Sequence, residues 1–301
     1  MKTVKVGQGS CGISAGAAKV YTALENAFFA DCVNASLSVT GCIGMCYLEP
    51  IVDVYDNDGT LTRLVRVSEN DAQSIVDFVK TGDMSCVEKL VVSDEDKHFF
   101  ESQTRIALRG CGVINPDEID DYIADGGYVA LKKALTEMTP EGVIDEIKTA
   151  GLAGRGGAGF PTWFKWNAAR SSQGEEKYLI CNADEGDPGA FMDRAVIESN
   201  PHNLIEGMLI GAYAIGAKEA VVYVRAEYPL AIIRLERAIE QAKSKFGTPE
   251  KKSAERNAQE TVVSTEEKQT SRETVQQLEN ALLVDSTGIC AGGAVWIYLF
   301  A

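Results

Sequence analysis

The fold and function of this chain are decided by two neighbouring stretches, GLAGRGGAGFPTWFKW at residues 151–166 and YLICNADEGDPGAFMDR at residues 178–194. The first holds five glycines between Gly151 and Gly159. Glycine lacks a Cβ and readily adopts positive φ, so such a run lets backbone N–H groups approach a phosphate or a flat ring. Arg155 adds a planar cation suited to phosphate. This glycine loop, residues 151–161, indicates a phosphate or cofactor site; a surface loop that binds nothing is the alternative.

The glycine loop matches neither common nucleotide motif. Its spacing differs from G-x-G-x-x-G, no strand is predicted before it, and no Gly-Lys-Ser/Thr ends it. The residues that follow are largely aromatic and include one cation: Phe160, Trp163, Phe164, Lys165 and Trp166. Such rings stack on a flavin or a nicotinamide, or they simply fill a core.

The second stretch contains an acidic turn, residues 182–189, after a predicted short buried strand at residues 177–181. Proteins of the α/β class usually bind ligands where strands end. Asn182 and Asp184 offer oxygen acceptors for ribityl or ribose hydroxyls, and Glu185 and Asp187 add carboxylates. Binding of a hard cation and a solvated turn without a ligand are the alternatives.

The pattern predicts two α/β domains and a tail. Residues 1–93 are expected to follow the order β-α-β-β-β-α of a thioredoxin-like unit, with a helix at 11–30 capped by Ser10 and a hairpin around 57–59. In residues 99–246 strands alternate with helices. Residues 247–301 form a divergent tail in which the polar stretch 248–274 has too little apolar surface to fold, so disorder or an artificial junction is expected.

Three of the eight cysteines form a candidate thiolate site. Cys42 and Cys46 share a loop with Gly44, and Cys11 lies at a predicted helix N-terminus, where the dipole favours a thiolate. Iron–sulfur clusters are bound by thiolates, and a [2Fe–2S] cluster normally takes four ligands. Three buried structural thiols are the alternative.

Charge and hydropathy limit the partners. The chain of 301 residues has 29 Lys and Arg against 44 Asp and Glu, a net charge of −15. This balance argues against binding to nucleic acid or to an anionic membrane surface. The apolar runs are short and the N-terminus does not resemble a secretory signal, so we expect a cytoplasmic protein without direct membrane insertion.

The sequence also resembles a known family. Both stretches, with PHNLIEGM at residues 201–208 and VYVRAEYP at 222–229, resemble the NADH-binding flavoprotein subunit of respiratory complex I. Relatives of that subunit include the flavoprotein β subunits of NAD-linked [FeFe] hydrogenases and formate dehydrogenases, and EGDP at residues 185–188 looks closer to the hydrogenase branch. The resemblance runs from about residue 104 to 246, and residues 9–16 and 40–50 are similar to the ferredoxin domain that precedes the flavin domain in the hydrogenase branch.

The resemblance implies an N-terminal thioredoxin-like ferredoxin domain followed by a partial FMN-binding α/β domain. It implies hydride transfer from NADH to FMN and single-electron passage to iron–sulfur clusters, with no catalytic acid or base from the protein. The residues implied to hold FMN are Gly154, Arg155, Gly156, Gly157 and Lys165. Those implied to line the flavin are Asn182, Asp184 and Glu185, and those implied to contact NADH are Phe160 and Asp187. The implied ligands of a [2Fe–2S] cluster are Cys11, Cys42 and Cys46.

The sequence is expected to depart from the family in three ways, one of which is that the family's ubiquitin-like segment and four-cysteine [4Fe–4S] domain are not found in it. Val6 stands where the ferredoxin domain has its first cysteine, and the match is expected to end near residue 246. We therefore expect a C-terminally incomplete NADH-oxidising subunit with other subunits of a dehydrogenase or hydrogenase complex as partners, peripheral to a membrane complex. A non-catalytic electron-transfer or assembly module and an inactive truncated fragment are the alternatives.

Overall fold

The computed structural model describes residues 1–155, 157–174, 176–246, 288–289 and 294–300. The chain divides into two compact units, Met1–Asp125 with Phe191–Pro201, and Gly126–Ala190 with His202–Ala301. The division by packing thus falls later in the chain than residues 93–99, where the sequence predicts a domain boundary. The predicted polar stretch at residues 248–274 lies outside the described residues.

The described chain contains both helices and strands, and six α-helices follow one another between the fourth and the fifth strand. The helices are α1 (Ser10–Ala15), α2 (Ala17–Ala30), α3 (Ala72–Thr81), α4 (Asp94–Glu101), α5 (Ile119–Ala124), α6 (Val129–Glu137), α7 (Pro140–Thr149), α8 (Thr162–Ser171), α9 (Met192–Ser199), α10 (Pro201–Ile215) and α11 (Pro229–Phe246). The strands are β1 (Lys2–Gly7), β2 (Ala35–Thr40), β3 (Val52–Tyr55), β4 (Leu61–Leu64), β5 (Tyr178–Ala183), β6 (Glu219–Arg225), β7 (Gly288–Ile289) and β8 (Ala294–Phe300).

The sheet of the first unit has the strand order β2-β1-β3-β4. Strand β2 is parallel to β1, whereas β3 is antiparallel to both β1 and β4. A parallel β-α-β element is therefore followed by an antiparallel hairpin and a helix, which confirms the predicted thioredoxin-like arrangement. The hairpin turns at Gly59, whose φ is +86°.

Helix α2 covers this sheet with one apolar face. Val20, Leu24 and Phe28 recur at a spacing of four residues and are buried against Val4 and Val6 of β1. This is the spacing at which an α-helix presents successive side chains to one side. The same core includes apolar residues of α3, so α2 and α3 pack against each other and against the sheet by burial of apolar surface.

The prediction of one helix at residues 11–30 capped by Ser10 is wrong in two details. Gly16 has φ +107° and separates α1 from α2, because a residue in the left-handed region ends an α-helix. The N-cap of α1 is Gly9, and Ser10 is the first helical residue. Its hydroxyl instead donates to the carboxylate of Glu198 at 2.6 Å, so a distant acceptor replaces the local capping bond.

The sheet of the second unit has the order β5-β6-β8-β7. Strands β5 and β6 are parallel, and β8 is antiparallel to β6. The prediction that the strand at residues 177–181 is buried is wrong: β5 pairs only with β6 at the edge of the described sheet. Tyr178 and Ile180 are 49% and 60% exposed.

Candidate functional site

The glycine loop connects α7 to α8 and closes on itself. The Gly154 N–H donates to the Phe160 carbonyl at 2.8 Å. Gly157 and Gly159 have φ values of +97° and +61°, which favour glycine. A Cβ added at either position would meet no atom within 4 Å. The space beside these two glycines is therefore open, and a ligand could approach their backbone.

Two cations belong to this loop and to the first turn of α8. Arg155 and Lys165 are exposed and make no hydrogen bond or ion pair with another described residue. Gly156, between Arg155 and Gly157, lies outside the described residues. Two solvated cations next to an open glycine backbone form a donor set that suits a phosphate group.

The aromatic residues of this region divide into two pairs. Phe160 and Phe164 are 45% and 52% exposed, and their rings meet edge to face at 5.6 Å. Trp163 and Trp166 pack instead against hydrophobic clusters of the second unit. The two tryptophans thus belong to the core, and the two phenylalanines are the rings available for stacking on a ligand.

The acidic turn follows β5 and is anchored at Glu185. This residue is 8% exposed. The Arg225 guanidinium donates to its carbonyl at 2.5 Å, and the Tyr228 hydroxyl donates to its carboxylate at 3.3 Å. Sequence reasoning gave no role to Arg225 and Tyr228, although both lie in the quoted stretch VYVRAEYP. The signal was a cation at the last position of β6, the parallel neighbour of β5, and a hydroxyl shortly after that strand.

The other polar residues of the turn remain exposed. The Asp184 N–H donates to the Asn182 side-chain oxygen at 3.0 Å, which shapes the turn locally. The Asp184 carboxylate lies 4.0 Å from the Arg225 guanidinium. Asp187 is exposed at the tip of the turn. The exposed oxygens of Asn182, Asp184 and Asp187 can therefore accept hydrogen bonds from a ligand.

The packing of α8 and β5 relates the loop to the turn. Trp166 of α8 and Leu179 of β5 both approach Gly211 of α10, where an added Cβ would lie 3.1 and 3.2 Å from their side chains. The end of α8 meets the start of β5, where Lys177 donates to the Arg170 carbonyl at 2.6 Å. Helix α8, which follows the glycine loop, and β5, which leads into the acidic turn, therefore pack into the same part of the second unit.

A buried polar network holds α6, α10 and α11 together in the second unit. The Glu206 carboxylate accepts the backbone N–H groups of Tyr128 and Leu131 at 2.8 and 2.9 Å. His202, 1% exposed, bonds the Tyr128 hydroxyl at 2.8 Å and the Gln241 side chain at 3.0 Å. Burial lowers the pKa of His202 to about 4, so this histidine is neutral at physiological pH.

The first unit brings Cys11, Cys42 and Cys46 together in what we call the cysteine site. The three sulfur atoms lie within 4.8 Å of one another, and those of Cys42 and Cys46 are 3.6 Å apart. The Gly44 N–H donates to the Cys42 sulfur at 3.3 Å. Gly9 makes the approach feasible, because a Cβ there would lie 2.9 Å from the Cβ of Cys42.

Val6 supplies no fourth ligand. Its side chain is fully buried and belongs to the core of the first unit with Val4. The cysteine site therefore has three of the four thiolates that a [2Fe–2S] cluster usually takes.

Burial raises the pKa of each thiol in the cysteine site, and for Cys11 it does so to about 11. The neighbouring Cys46 raises the pKa of Cys11 further, and the Arg194 guanidinium lowers it. The thiols are therefore protonated at neutral pH unless a metal ion stabilises the thiolates. A compact set of sulfurs of this kind fits a thiophilic metal centre.

A buried carboxyl group lies beside the cysteine site. Glu49 is 8% exposed, and its Oε2 accepts the Ile51 N–H at 2.9 Å. A Cβ at Gly7 or Gly12 would lie 3.3 or 3.1 Å from Oε2, so these glycines leave room for the carboxyl. Burial raises the pKa of Glu49 to about 7, and the negative charge of Asp53 contributes in the same direction.

Helix α9 forms a wall of the cysteine site. The Arg194 guanidinium donates to the Cys11 sulfur at 3.4 Å. The Glu198 carboxylate, 1% exposed, accepts the Ser10 N–H at 2.8 Å and the Ser10 hydroxyl at 2.6 Å. Arg194 lies in the quoted stretch at residues 178–194, but its hydrogen bond to Cys11 could not be predicted, because no local pattern links residue 194 to a cysteine near the N-terminus.

The end of α9 also packs closely on the loop that carries Cys42. The Ser199 hydroxyl donates to the Cys42 carbonyl at 3.4 Å. A Cβ at Gly41 would lie 2.1 Å from the Ser199 hydroxyl oxygen, so only glycine fits there. The cysteine site is thus built from two segments near the N-terminus and a third segment far along the chain.

A search of the described residues for helices of sufficient length and apolar character to span a bilayer finds none. The prediction of no direct membrane insertion stays a prediction.

Comparison with known proteins identifies the region around the glycine loop. Residues 147–283 match the family model of the Nuo51 FMN-binding domain, which extends past residue 246, where we expected the resemblance to end. The chain is 59% identical over 143 residues to the NADP-reducing hydrogenase subunit HndC of Solidesulfovibrio fructosivorans, covering 48% of this chain and 29% of that protein. It is 56% identical over 147 residues to an NADH-quinone oxidoreductase subunit of Aquifex aeolicus, covering 49% and 34%.

The chain therefore spans about a third of the length of these relatives. A solved NAD+-reducing [NiFe]-hydrogenase in the air-oxidized state is 27% identical, with a TM-score of 0.39, over 81% of this chain and 41% of that chain. The match to the family model, residues 147–283, contains both the glycine loop and the acidic turn. Residues 147–283 are thus similar to the Nuo51 FMN-binding domain, and the chain is similar in sequence to subunits of an NADP-reducing hydrogenase and of an NADH-quinone oxidoreductase.

Proposed function

We propose that this chain is part of an NADH-oxidising flavoprotein subunit that binds FMN and NADH between the glycine loop and the acidic turn. The observation that carries this proposal is the match of residues 147–283 to an FMN-binding domain model, because both segments lie within it. The open backbone at Gly157 and Gly159 and the exposed cations Arg155 and Lys165 support it.

The residues divide the work of binding by their chemistry. Gly154 closes the glycine loop, and the loop holds the phosphate of FMN through the backbone of Gly156 and Gly157 and through the cations Arg155 and Lys165. Asn182, Asp184 and Glu185 line the flavin on the side of the acidic turn. Phe160 stacks on NADH, and Asp187 accepts a hydrogen bond from it.

Bound FMN would supply hydride acceptance from NADH and release of single electrons. The chain's own contribution is geometry. Arg225 and Tyr228 fix Glu185, so the acidic turn keeps its shape when the ligand arrives. No side chain is needed as a general acid or base for the hydride step, because the flavin itself carries that chemistry.

The cysteine site is proposed to hold an iron–sulfur centre through Cys11, Cys42 and Cys46. The three sulfurs within 4.8 Å support this assignment, and Val6 leaves the fourth position to a ligand other than a cysteine at residue 6. A bound iron–sulfur centre supplies single-electron transfer. Other subunits of a dehydrogenase or hydrogenase complex would then be the electron acceptors.

FMN binding to the full chain tests the proposal. Titration of FMN with the protein, followed by flavin fluorescence, should show uptake of one FMN per chain, and NADH should then drive reduction of ferricyanide. Arg155→Gln should lower the affinity for FMN at least tenfold but leave the affinity for riboflavin, which lacks the phosphate, unchanged. Arg109→Gln, a change of an exposed arginine in the first unit, should alter neither affinity.

A wild-type chain that takes up no FMN at micromolar concentration contradicts the proposal. The cysteine site favours a second candidate in that case, an electron-transfer module that works through its metal centre alone. An electron paramagnetic resonance signal after dithionite reduction, in protein that binds no flavin, would support that second function.

A further inference from the structure

Arg194 brings a positive charge to the cysteine site from outside the loops that carry the cysteines. Its Nη2 donates to the Cys11 sulfur at 3.4 Å, across 183 positions of sequence. The side chain is 17% exposed. Bulk water therefore screens this charge only partly.

The guanidinium is held in place by its neighbours. Arg194 Nε lies 3.8 Å from the Glu198 carboxylate, which is itself bonded to Ser10. The guanidinium also lies over the Phe191 ring, 4.2 Å from its centroid. Because the ion pair and the ring already order the Arg194 side chain, little further conformational entropy is lost when its N–H group donates to the sulfur.

Other charged residues near the cysteine site differ from Arg194, because they either act on another sulfur or disfavour negative charge on the sulfurs. Glu49 opposes negative charge on each of the three sulfurs, and Arg105 favours it at Cys42. Arg194 is the cation with a hydrogen bond to a sulfur among the described residues. Hydrogen bonds and cations at a sulfur ligand stabilise the reduced, more negative state of an iron–sulfur centre.

We infer that Arg194 is a positioning residue of the cysteine site, which orients Cys11 and raises the reduction potential of the metal centre bound there. This inference rests on the proposed iron–sulfur function. On this inference, a residue of α9, the helix that follows the acidic turn in the chain, controls the reduction potential of the metal centre in the cysteine site.

Redox titration of the full chain tests this role. Protein reconstituted anaerobically with ferric iron and sulfide is titrated with dithionite and followed by electron paramagnetic resonance. Arg194→Gln should lower the ratio of reduced to oxidised centre about tenfold at the wild-type midpoint potential, which is a shift of about 59 mV for one electron. Arg194→Lys keeps the charge and should shift the ratio less. The control Arg109→Gln should leave it unchanged.

A second measurement does not depend on iron. In the metal-free chain, alkylation of Cys11 by iodoacetamide, measured by peptide mass spectrometry against the exposed Cys32, should slow about threefold or more in Arg194→Gln, because the guanidinium favours the thiolate. If Arg194→Gln does not fold, Arg194→Lys takes its place in both measurements and should shift each in the same direction.

The outcomes distinguish the role of Arg194 from the proposed iron–sulfur function of the cysteine site. An iron centre whose potential is the same in wild type and in the Arg194 variants overturns the inference. If the wild type assembles no iron centre, the proposed function of the cysteine site fails, and the alkylation rate alone decides whether Arg194 acts on Cys11. Equal alkylation rates would then overturn the inference as well.

Discussion

Glu49 should make the stability of the first unit depend on pH, and Glu49→Gln should remove that dependence. Glutamine keeps the shape of the side chain and an oxygen that accepts the Ile51 N–H. It lacks the carboxyl group that burial makes costly to ionise. The substitution therefore isolates the ionisation of a single group beside the cysteine site.

The size and sign follow from the two pKa values of Glu49. The pKa is about 7 in the folded chain against 4.5 ordinarily. A raised pKa means that the folded state holds the proton more tightly, so the stabilisation is complete below pH 4.5 and is lost as the pH rises through about 7. At about 1.4 kcal/mol per pKa unit, the loss amounts to about 3 kcal/mol. Glu49→Gln should therefore gain about that much relative to wild type between about pH 4.5 and about pH 8.

Urea unfolding of the metal-free, reduced chain at several pH values measures this difference. Far-ultraviolet circular dichroism reports the whole chain, and protection of the buried Cys111 against alkylation reports the first unit. Glu88→Gln, a change at an exposed position of the same unit, serves as the control and should show no pH-dependent gain. A gain for Glu49→Gln that is equal at pH 5 and pH 8 would refute the reasoning, because it would mean that Glu49 ionises in the folded chain as it does in water.

Three further substitutions test other contacts. Glu206→Ala removes the acceptor of two buried N–H groups at the start of α6 and should lower the free energy of unfolding in urea by about 2–4 kcal/mol. The control Glu240→Ala, on the exposed face of α11, should lower it by less than about 0.5 kcal/mol. Gly157→Ala places a side chain at φ +97° and should cost about 1 kcal/mol and weaken FMN binding in a fluorescence titration. Gly41→Ala puts a Cβ 2.1 Å from the Ser199 hydroxyl oxygen, so amide hydrogen exchange of α9 should accelerate at least tenfold.

Much of the fold could be predicted because its signals are local. The hairpin around Gly59 and the cap of α7 by Thr139, with Pro140 at its first position, follow from turn and capping preferences within a few residues. The cysteine site could also be predicted, since Cys42 and Cys46 share the loop after β2 and Cys11 lies in the first turn of the helix after β1, the parallel neighbour of β2. Local preference and tertiary packing agree at these positions.

The remaining details depend on contacts between distant residues. Nothing near Ser10 predicts that its hydroxyl would turn away from the helix N-terminus, since the acceptor, Glu198, lies 188 positions away. Arg225 and Tyr228 were within a recognised stretch, yet their role depends on the parallel pairing of β5 with β6, which brings residues after both strands to one edge. Sequence patterns identified the segments, but only the fold shows which of their side chains meet.

The placement of α9 constrains the position of Cys11, which the positions of the cysteines in the sequence do not predict. This helix contacts the cysteine site at both ends, through Arg194 and through Ser199. Between them, the buried Glu198 carboxylate accepts two hydrogen bonds from Ser10, the residue before Cys11. Since breaking buried charged hydrogen bonds costs several kcal/mol, α9 holds the start of α1 in place and keeps Cys11 at a fixed distance from its guanidinium partner. A sulfur whose surroundings are fixed in this way suits electron transfer, which needs no large motion of the protein.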